Sequence, residues 1–180
     1  SDIYKVSTYH YNWHRGVEIL VLLKGRIDMS CNSEVFTMEP LDSIIMSPQV
    51  GHATLALEED TTALVIHISK EFFQHFDPNF GMYQFVLRSD TSNRNNLFFT
   101  SLRHHAAQMM LLMVNGKSPD YQLCLEHHYL ALTSAIYREI DAVKSIPVHT
   151  KPADMTVATF DKMVAYIDEN YQQKDRKSVV

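Results

Sequence analysis

The chain has 180 residues, of which 46% are hydrophobic, and this suffices for one sizeable core and for one domain with part of a second. Its net charge is −5 and its pI is near 6.0, so bulk charge does not attract nucleic acid, and we expect any DNA contact in another part of the protein. The two cysteines, Cys31 and Cys124, lie far apart in the sequence and do not indicate a disulfide framework. No apolar run reaches the roughly 20 residues of a membrane-spanning helix, and no signal peptide opens the chain. We therefore expect a cytoplasmic protein without membrane contact.

Short apolar segments bounded by turn residues predict strands over the first half of the chain. Val17 to Leu23 is apolar on both faces and ends at Lys24-Gly25, whereas Ile27 to Cys31 alternates between apolar and polar residues. Further strands are predicted at 34–38, 43–47, 52–57 and 63–68. Short strands at this close spacing favour a β-barrel or a sandwich.

The segment from 69 to 96 carries weaker signals. "SKEFFQHF" predicts one or two helical turns capped by Ser69, and "MYQFVL" is compatible with a further strand. The polar segment "RSDTSNRNN" is the best candidate for a boundary.

Two helices are predicted after this boundary. Apolar residues at helical spacing predict a first helix that ends at Gly116, and Ser118-Pro119-Asp120 marks the start of a second. The short turn between them predicts an antiparallel pair. Because the pair carries more apolar surface than one barrel face covers, we expect it to form a homodimer through Leu97–Val114 and Pro119–Asp141.

A linker and a third helix are predicted at the end of the chain. "SIPVHTKPAD" contains two prolines, and an apolar face from Phe160 to Tyr171 predicts a helix that begins near Val157. The chain lacks an initiating Met and stops at "DRKSVV", so we expect it to be part of a longer protein.

The spacing of His14, Glu18 and Gly25 resembles the first motif of the cupin family. In that motif a histidine and a glutamate on one barrel strand point inward, and the glycine makes the turn to the next strand. "SPQVGHAT", with Pro48 and His52, is similar to the second cupin motif. The resemblance covers roughly the first seventy residues and implies a cupin-type β-barrel, which is a double-stranded β-helix or jelly roll.

The chain departs from the pattern of metal-binding cupins at one ligand position. A further histidine usually stands two residues before the position of His14, where this chain has Asn12, and His10 has the wrong spacing. His14, Glu18 and His52 remain, and three protein ligands can suit a catalytic zinc or a non-haem iron. The alternatives are a set of hydrogen-bonded polar residues or a pocket without metal, and we predict the pocket without a metal or other cofactor.

Three more residues are candidates for the pocket. By strand parity Lys24 shares a face with Glu18, so we expect it to point inward. His67 lies in an otherwise apolar strand, where a buried imidazole needs a partner. Trp13 could stack on a sugar ring, although a single Trp near a barrel entrance more often serves packing.

Paired histidines stand on both predicted helices, at His104-His105 and His127-His128. They could meet and bind a metal across the pair. Exposed or interfacial histidines without a metal are the more common outcome of such a pattern.

The order of parts resembles the AraC-type family of bacterial transcription regulators, in which a sensing barrel and a dimerising helical element precede a DNA-binding domain. "ILVLLKGRIDMS", "LDSIIMSPQVGH" and "ALVIHISKEFF" stand in family order, and "ATFDKMVAYIDENYQQ" is similar to the first helix of the helix-turn-helix domain. The resemblance implies an α+β chain with a cupin-like sensing barrel at 1–90, a dimerisation hairpin at 91–145, a linker at 146–156 and the first DNA-binding helix at 157–180. The recognition helices would follow Val180.

This resemblance implies a sensor that is not an enzyme. A small-molecule effector, in this family commonly a sugar or a sugar derivative, would bind in the barrel and bias DNA binding by the full-length dimer. We therefore expect His14, Glu18, Lys24, His52, His67 and Trp13 to bind the effector. The alternative is a small metal-dependent cupin enzyme, such as an isomerase or a dioxygenase, with His14, Glu18 and His52 as ligands. A third interpretation is a barrel that has lost its ligand and serves only to dimerise.

Overall fold

In the part of the chain that the structure describes, nine strands form two antiparallel sheets, followed by a pair of long helices. The computed structural model describes residues 2–5, 10–116 and 118–144, and the predicted linker at 146–156 and helix at 157–180 lie outside these residues. The strands are β1 (Asp2–Lys5), β2 (His10–Asn12), β3 (Val17–Lys24), β4 (Ile27–Cys31), β5 (Glu34–Met38), β6 (Ser43–Met46), β7 (His52–Ala56), β8 (Thr62–Ile68) and β9 (Val86–Arg88). The helices are α1 (Lys70–Gln74), α2 (Leu97–Asn115) and α3 (Tyr121–Lys144).

The two sheets have the strand orders β1-β8-β3-β6-β9 and β2-β7-β4-β5. Strand β3 lies at the centre of the first sheet, and this position explains why it is apolar on both faces. Its Leu20 and Leu22 face a core that lies between the sheets, while Ile19 and Val21 face a second core under the helices. The core between the sheets is densely apolar, with Ile27, Met29, Cys31, Met38, Ile44, Met46, Val50, Ala63 and Val65 all buried.

The helix pair covers the outer face of the five-stranded sheet. Helix α2 begins after Asn96, whose side chain accepts a hydrogen bond from the Phe99 amide, and it ends at Gly116 with a φ of 82°. Buried residues of α2 and α3 pack with those of β3 and β8 in one core; the helix residues are Phe99, Leu102, Ala106, Met109, Leu132, Ile136 and Ile140. Burying this stripe fixes the pair on the barrel.

One sheet face does not cover all apolar residues of the pair. Leu123 remains 72% exposed and Leu130 49% exposed on α3, and Leu111, Met113 and Val114 are exposed on α2.

The α+β fold expected from the sequence, a cupin-type barrel followed by a helix pair, is confirmed. Among the described residues, no helix is both long enough and apolar enough to span a membrane.

Candidate functional site

Three imidazoles surround one buried carboxylate at the end of the barrel where β3 and β7 begin and β8 ends. Glu18 on β3 pairs in register with His67 on β8, His14 lies just before β3, and His52 is the first residue of β7. We call His14, Glu18, His52 and His67 the polar cluster. Glu18 Oε2 lies 2.7 Å from Nε2 of His67 and 3.5 Å from Nε2 of His14, and Oε1 lies 3.2 Å from Nε2 of His52.

The surroundings of Glu18 stabilise its carboxylate. Burial raises the pKa of this group, but the imidazoles of His52, His67 and His14 outweigh burial and lower the pKa to about 2. Burial also lowers the pKa of His14, against the charge of Glu18 and a hydrogen bond at Gly16. At neutral pH the polar cluster therefore combines an anionic Glu18 with a neutral His14.

The backbone fixes the orientation of two of the imidazoles. Nδ1 of His14 lies 2.6 Å from the Gly16 carbonyl oxygen, and Nδ1 of His52 lies 3.3 Å from that of Val50, so each Nδ1–H donates to the backbone. The Nε2 atoms of both rings face the Glu18 carboxylate, at 3.5 Å for His14 and 3.2 Å for His52. Both are buried, and neither has a hydrogen-bond partner among the residues that the structure describes.

His14, Glu18 and His52 fit a divalent transition metal. Their ligand atoms lie within 4.8 Å of one another. Two ligands on a tetrahedral zinc, each about 2.0–2.1 Å from the ion, lie roughly 3.3 Å apart, which the 3.2 Å and 3.5 Å separations match. A histidine that donates Nδ1–H to a backbone carbonyl and presents Nε2 is a common metal ligand. The predicted absence of a metal stays a prediction.

The prediction that Lys24 points into the barrel is wrong. The pairing of β3 with β8 shifts between Leu22 and Lys24, and Lys24 is exposed at the end of the strand. A bulge of this kind reverses the parity that places Glu18, Leu20 and Leu22 inside. Lys24 therefore lies outside the polar cluster.

His67 and Trp13 lie at the surface of this end of the barrel. The His67 side chain is 48% exposed, more than its apolar strand indicates, and its Nε2 contacts the buried Glu18. Trp13 is 56% exposed and adjoins His14 in sequence. Both side chains are accessible to a ligand.

A cavity of about 410 Å³ adjoins His67 and extends to α3. It is lined by His67, Ile68, Ser69, Phe72, Glu126, Tyr129 and Leu130. Its volume lies within the range of small-molecule sites, and aromatic and ionisable groups both line it. No sequence pattern marks Glu126 or Leu130 as site residues, and Tyr129 fits an apolar stripe of its helix. They meet His67 only because α3 packs beside the end of β8.

Solved structures resemble this chain in fold at low sequence identity. No protein-family model matches the sequence, and no curated protein matches it. The AraC-like transcriptional activator CuxR superposes with a TM-score of 0.51 at 12% identity, over 90% of this chain and 53% of CuxR. This chain shares its fold with CuxR. The AraC-type resemblance is therefore confirmed at the level of fold.

Two structures of ToxT from Vibrio cholerae also resemble the chain, one of them an apo variant from strain SCE256. They superpose with TM-scores of 0.49 and 0.47 at 10% and 11% identity, each over 93% of this chain. The chain spans 63% and 64% of the two ToxT chains and 53% of CuxR, which is less than two thirds of each.

Proposed function

We propose that this chain is the effector-sensing and dimerisation domain of a bacterial AraC-type transcription regulator, located in the cytoplasm and without catalytic activity. The observation that carries this proposal is that His67, which contacts Glu18 of the polar cluster, also lines the cavity, within a fold shared with an AraC-like activator. DNA binding would belong to a further domain of the full-length protein.

A carbohydrate or carbohydrate derivative is the effector class that the lining favours. The ring faces of Phe72 and Tyr129 offer stacking surfaces, while Glu126 and His67 can exchange hydrogen bonds with hydroxyl groups. Trp13, at the same end of the barrel as His14, offers another exposed aromatic ring. The core between the sheets is filled with apolar side chains, so the effector would bind at the end of the barrel and not in its centre.

Effector binding at this cavity would couple the barrel to the helix pair. His67 and Ser69 belong to the barrel side of the cavity, whereas Glu126, Tyr129 and Leu130 belong to α3. The same helix carries Leu123 and Leu130 on its exposed face, where we place the contact with a second copy. A ligand that prefers one position of α3 shifts the dimer toward the arrangement with that position.

A thermal-shift screen of pentoses, hexoses, uronic acids and sugar phosphates tests the effector class. A ligand present at about 100-fold above its Kd stabilises the folded state by about 2.7 kcal/mol, so a true effector raises the unfolding midpoint by several degrees. A screen in which no sugar raises the midpoint at a concentration of about 10 mM would contradict the carbohydrate assignment.

The acidic charge of the chain leads to a second prediction from the same proposal. At a net charge of −5 the chain offers little phosphate attraction, so we expect no sequence-specific DNA binding by this part of the protein. A gel-shift titration with a library of duplexes measures this. A tight, sequence-dependent shift would contradict the assignment of DNA binding to a further domain.

The two buried Nε2 atoms favour a metal in the polar cluster as a second candidate function. His14 and His52 present unpartnered nitrogens toward the anionic Glu18, and an ion bound by all three would satisfy them. Such an ion would supply the Lewis-acid chemistry of a small cupin isomerase or, if it were iron, the oxygen-activating chemistry of a dioxygenase. Elemental mass spectrometry on tag-free protein tests this candidate. Near-stoichiometric metal that is lost in His14→Ala supports it, and metal that stays unchanged in His14→Ala contradicts it.

A further inference from the structure

Four histidines that do not belong to the polar cluster meet between α2 and α3. His104 and His105 lie on α2, and His127 and His128 lie on α3. The ring centroid of His105 is 5.3 Å from that of His128 and 6.1 Å from that of His127. The cluster lies near the middle of α2 and in the first third of α3.

We propose that His105, His127 and His128 bind one divalent transition-metal ion of the zinc, nickel or copper class and thereby join α2 to α3. The ligand nitrogens of the three side chains lie within 4.8 Å of one another. Nδ1 of His105 and Nδ1 of His128 are 3.0 Å apart, close to the roughly 3.3 Å between two nitrogens on a tetrahedral zinc.

The donor set decides the class of ion. Three imidazole nitrogens without a carboxylate or a thiolate suit zinc, nickel and copper, and they do not suit calcium or magnesium. Burial, followed by the neighbouring imidazoles, lowers the pKa of both His105 and His128. The exposed face of His127 gives the ion access from solvent, and water can complete the coordination.

Without an ion, the described contacts of the cluster are one hydrogen bond and several ring contacts. A hydrogen bond between the Nδ1 atoms of His105 and His128 uses one proton and one lone pair. The rings pack with centroids 5.1–5.3 Å apart, and an ion bound by all three would add coordinate bonds between the two helices.

The proposed metal site lies on the exposed face of α3, where we place the contact with a second copy of the chain. His127 is four residues after Leu123 and three before Leu130, so the three share the exposed side of α3. An ion that joins α2 to α3 would stiffen this face. That consequence rests on the proposed function, whereas metal binding itself does not.

Calorimetric titration of zinc chloride and nickel chloride into tag-free protein at pH 7.5 tests the proposal. We expect one ion per chain, with affinity reduced at least about tenfold in His127→Ala and in His105→Ala. His127 is exposed, so its replacement leaves folding intact even if that of His105 does not. His75→Ala, which removes an exposed imidazole outside the helix pair, is the control.

The result that supports the proposal is retained affinity in His75→Ala together with a loss in His127→Ala. Equal affinity in wild type and His127→Ala would overturn it. A loss confined to His104→Ala would overturn the assignment of ligands. All these readouts concern the ion and the helix pair, so their failure leaves the sugar-sensing proposal standing.

Discussion

Glu18 joins three imidazoles through a single buried carboxylate. Lowering its pKa from 4.5 to about 2 corresponds to roughly 3 kcal/mol of preference for the charged form in the folded state, at about 1.4 kcal/mol for each tenfold change in equilibrium. His14, His52 and His67 come from three different elements, so their contacts with Glu18 also hold the end of the barrel together.

Replacing Glu18 with Gln tests this contribution. Gln has the shape of the protonated acid, so we expect Glu18→Gln to reduce the free energy of unfolding at pH 7 by about 2–3 kcal/mol. Urea denaturation measures the change. Glu58→Gln is the matched control: Glu58 pairs with Arg26 at the surface, where solvent screens the pair, and the loss there should be much smaller. Equal losses in the two variants would contradict the role given to Glu18.

The same carboxylate predicts how stability depends on pH. The folded pKa of Glu18 is lower than the unfolded one, so its contribution is complete above about pH 4.5 and is lost as pH falls toward 2. The pKa of His14 is also lower in the folded protein than in the unfolded chain, so the unfolded chain binds a proton at this residue first as the pH falls. His14 therefore also reduces the free energy of unfolding as the pH falls. We expect the difference in unfolding free energy between wild type and Glu18→Gln to narrow below pH 4.5. A difference that stays constant from pH 6 to pH 3.5 would contradict this.

At the scale of elements, the turn between β3 and β4 depends on Gly25. This residue has a φ of 78°, and a Cβ there would lie 2.4 Å from Oγ1 of Thr61. Gly116, at the end of α2, has a similar φ of 82°, but no atom lies within 4 Å of the position that a Cβ would take there. A side chain at Gly25 would therefore add both backbone strain and a steric clash, whereas a side chain at Gly116 would add backbone strain alone.

We expect Gly25→Ala to cost about 2–4 kcal/mol of unfolding free energy and Gly116→Ala about 1–2 kcal/mol. The first change adds a clash with Thr61 to the strain, whereas the second adds strain alone. Thermal denaturation of both variants measures the two costs. Equal costs would show that Thr61 moves aside without a penalty.

Sequence patterns predict most of the elements because each carries a local signal. Alternation over Ile27–Cys31, the Ser69 cap and the stop at Gly116 all have counterparts in β4, α1 and α2. Counting alternate residues misplaces Lys24 because the bulge changes the register at the end of a continuous apolar run, where no alternation of apolar and polar residues reveals it. The cavity could not be predicted, since Phe72 and Tyr129 come together only when α3 packs beside β8. Such contacts depend on tertiary packing and leave no local pattern.

At the scale of the whole molecule, the exposed apolar face of α3 predicts a dimer. Leu123 and Leu130 are two turns apart on one face, and they are 72% and 49% exposed. We expect light scattering to give a dimer for wild type and a monomer for the double change Leu123→Glu and Leu130→Glu, with the unfolding midpoint of the monomer little changed.

The control for this experiment is Val35→Glu on β5. Val35 is 73% exposed, which matches Leu123, but it lies on the four-stranded sheet and not on the helix pair. This variant should remain dimeric. A wild-type chain that stays monomeric at every concentration would contradict the dimer, and a monomeric Val35→Glu would place the contact elsewhere.

The proposed sensing site lies where the polar cluster meets the cavity, and His67 is the residue common to both. The sugar-induced rise in unfolding midpoint, measured side by side on wild type, His67→Ala and Glu58→Gln, tests whether a small molecule binds there. We expect a rise in wild type and in Glu58→Gln that is lost or greatly reduced in His67→Ala. A rise of equal size in all three proteins would contradict this site, because the sugar would then bind elsewhere on the protein.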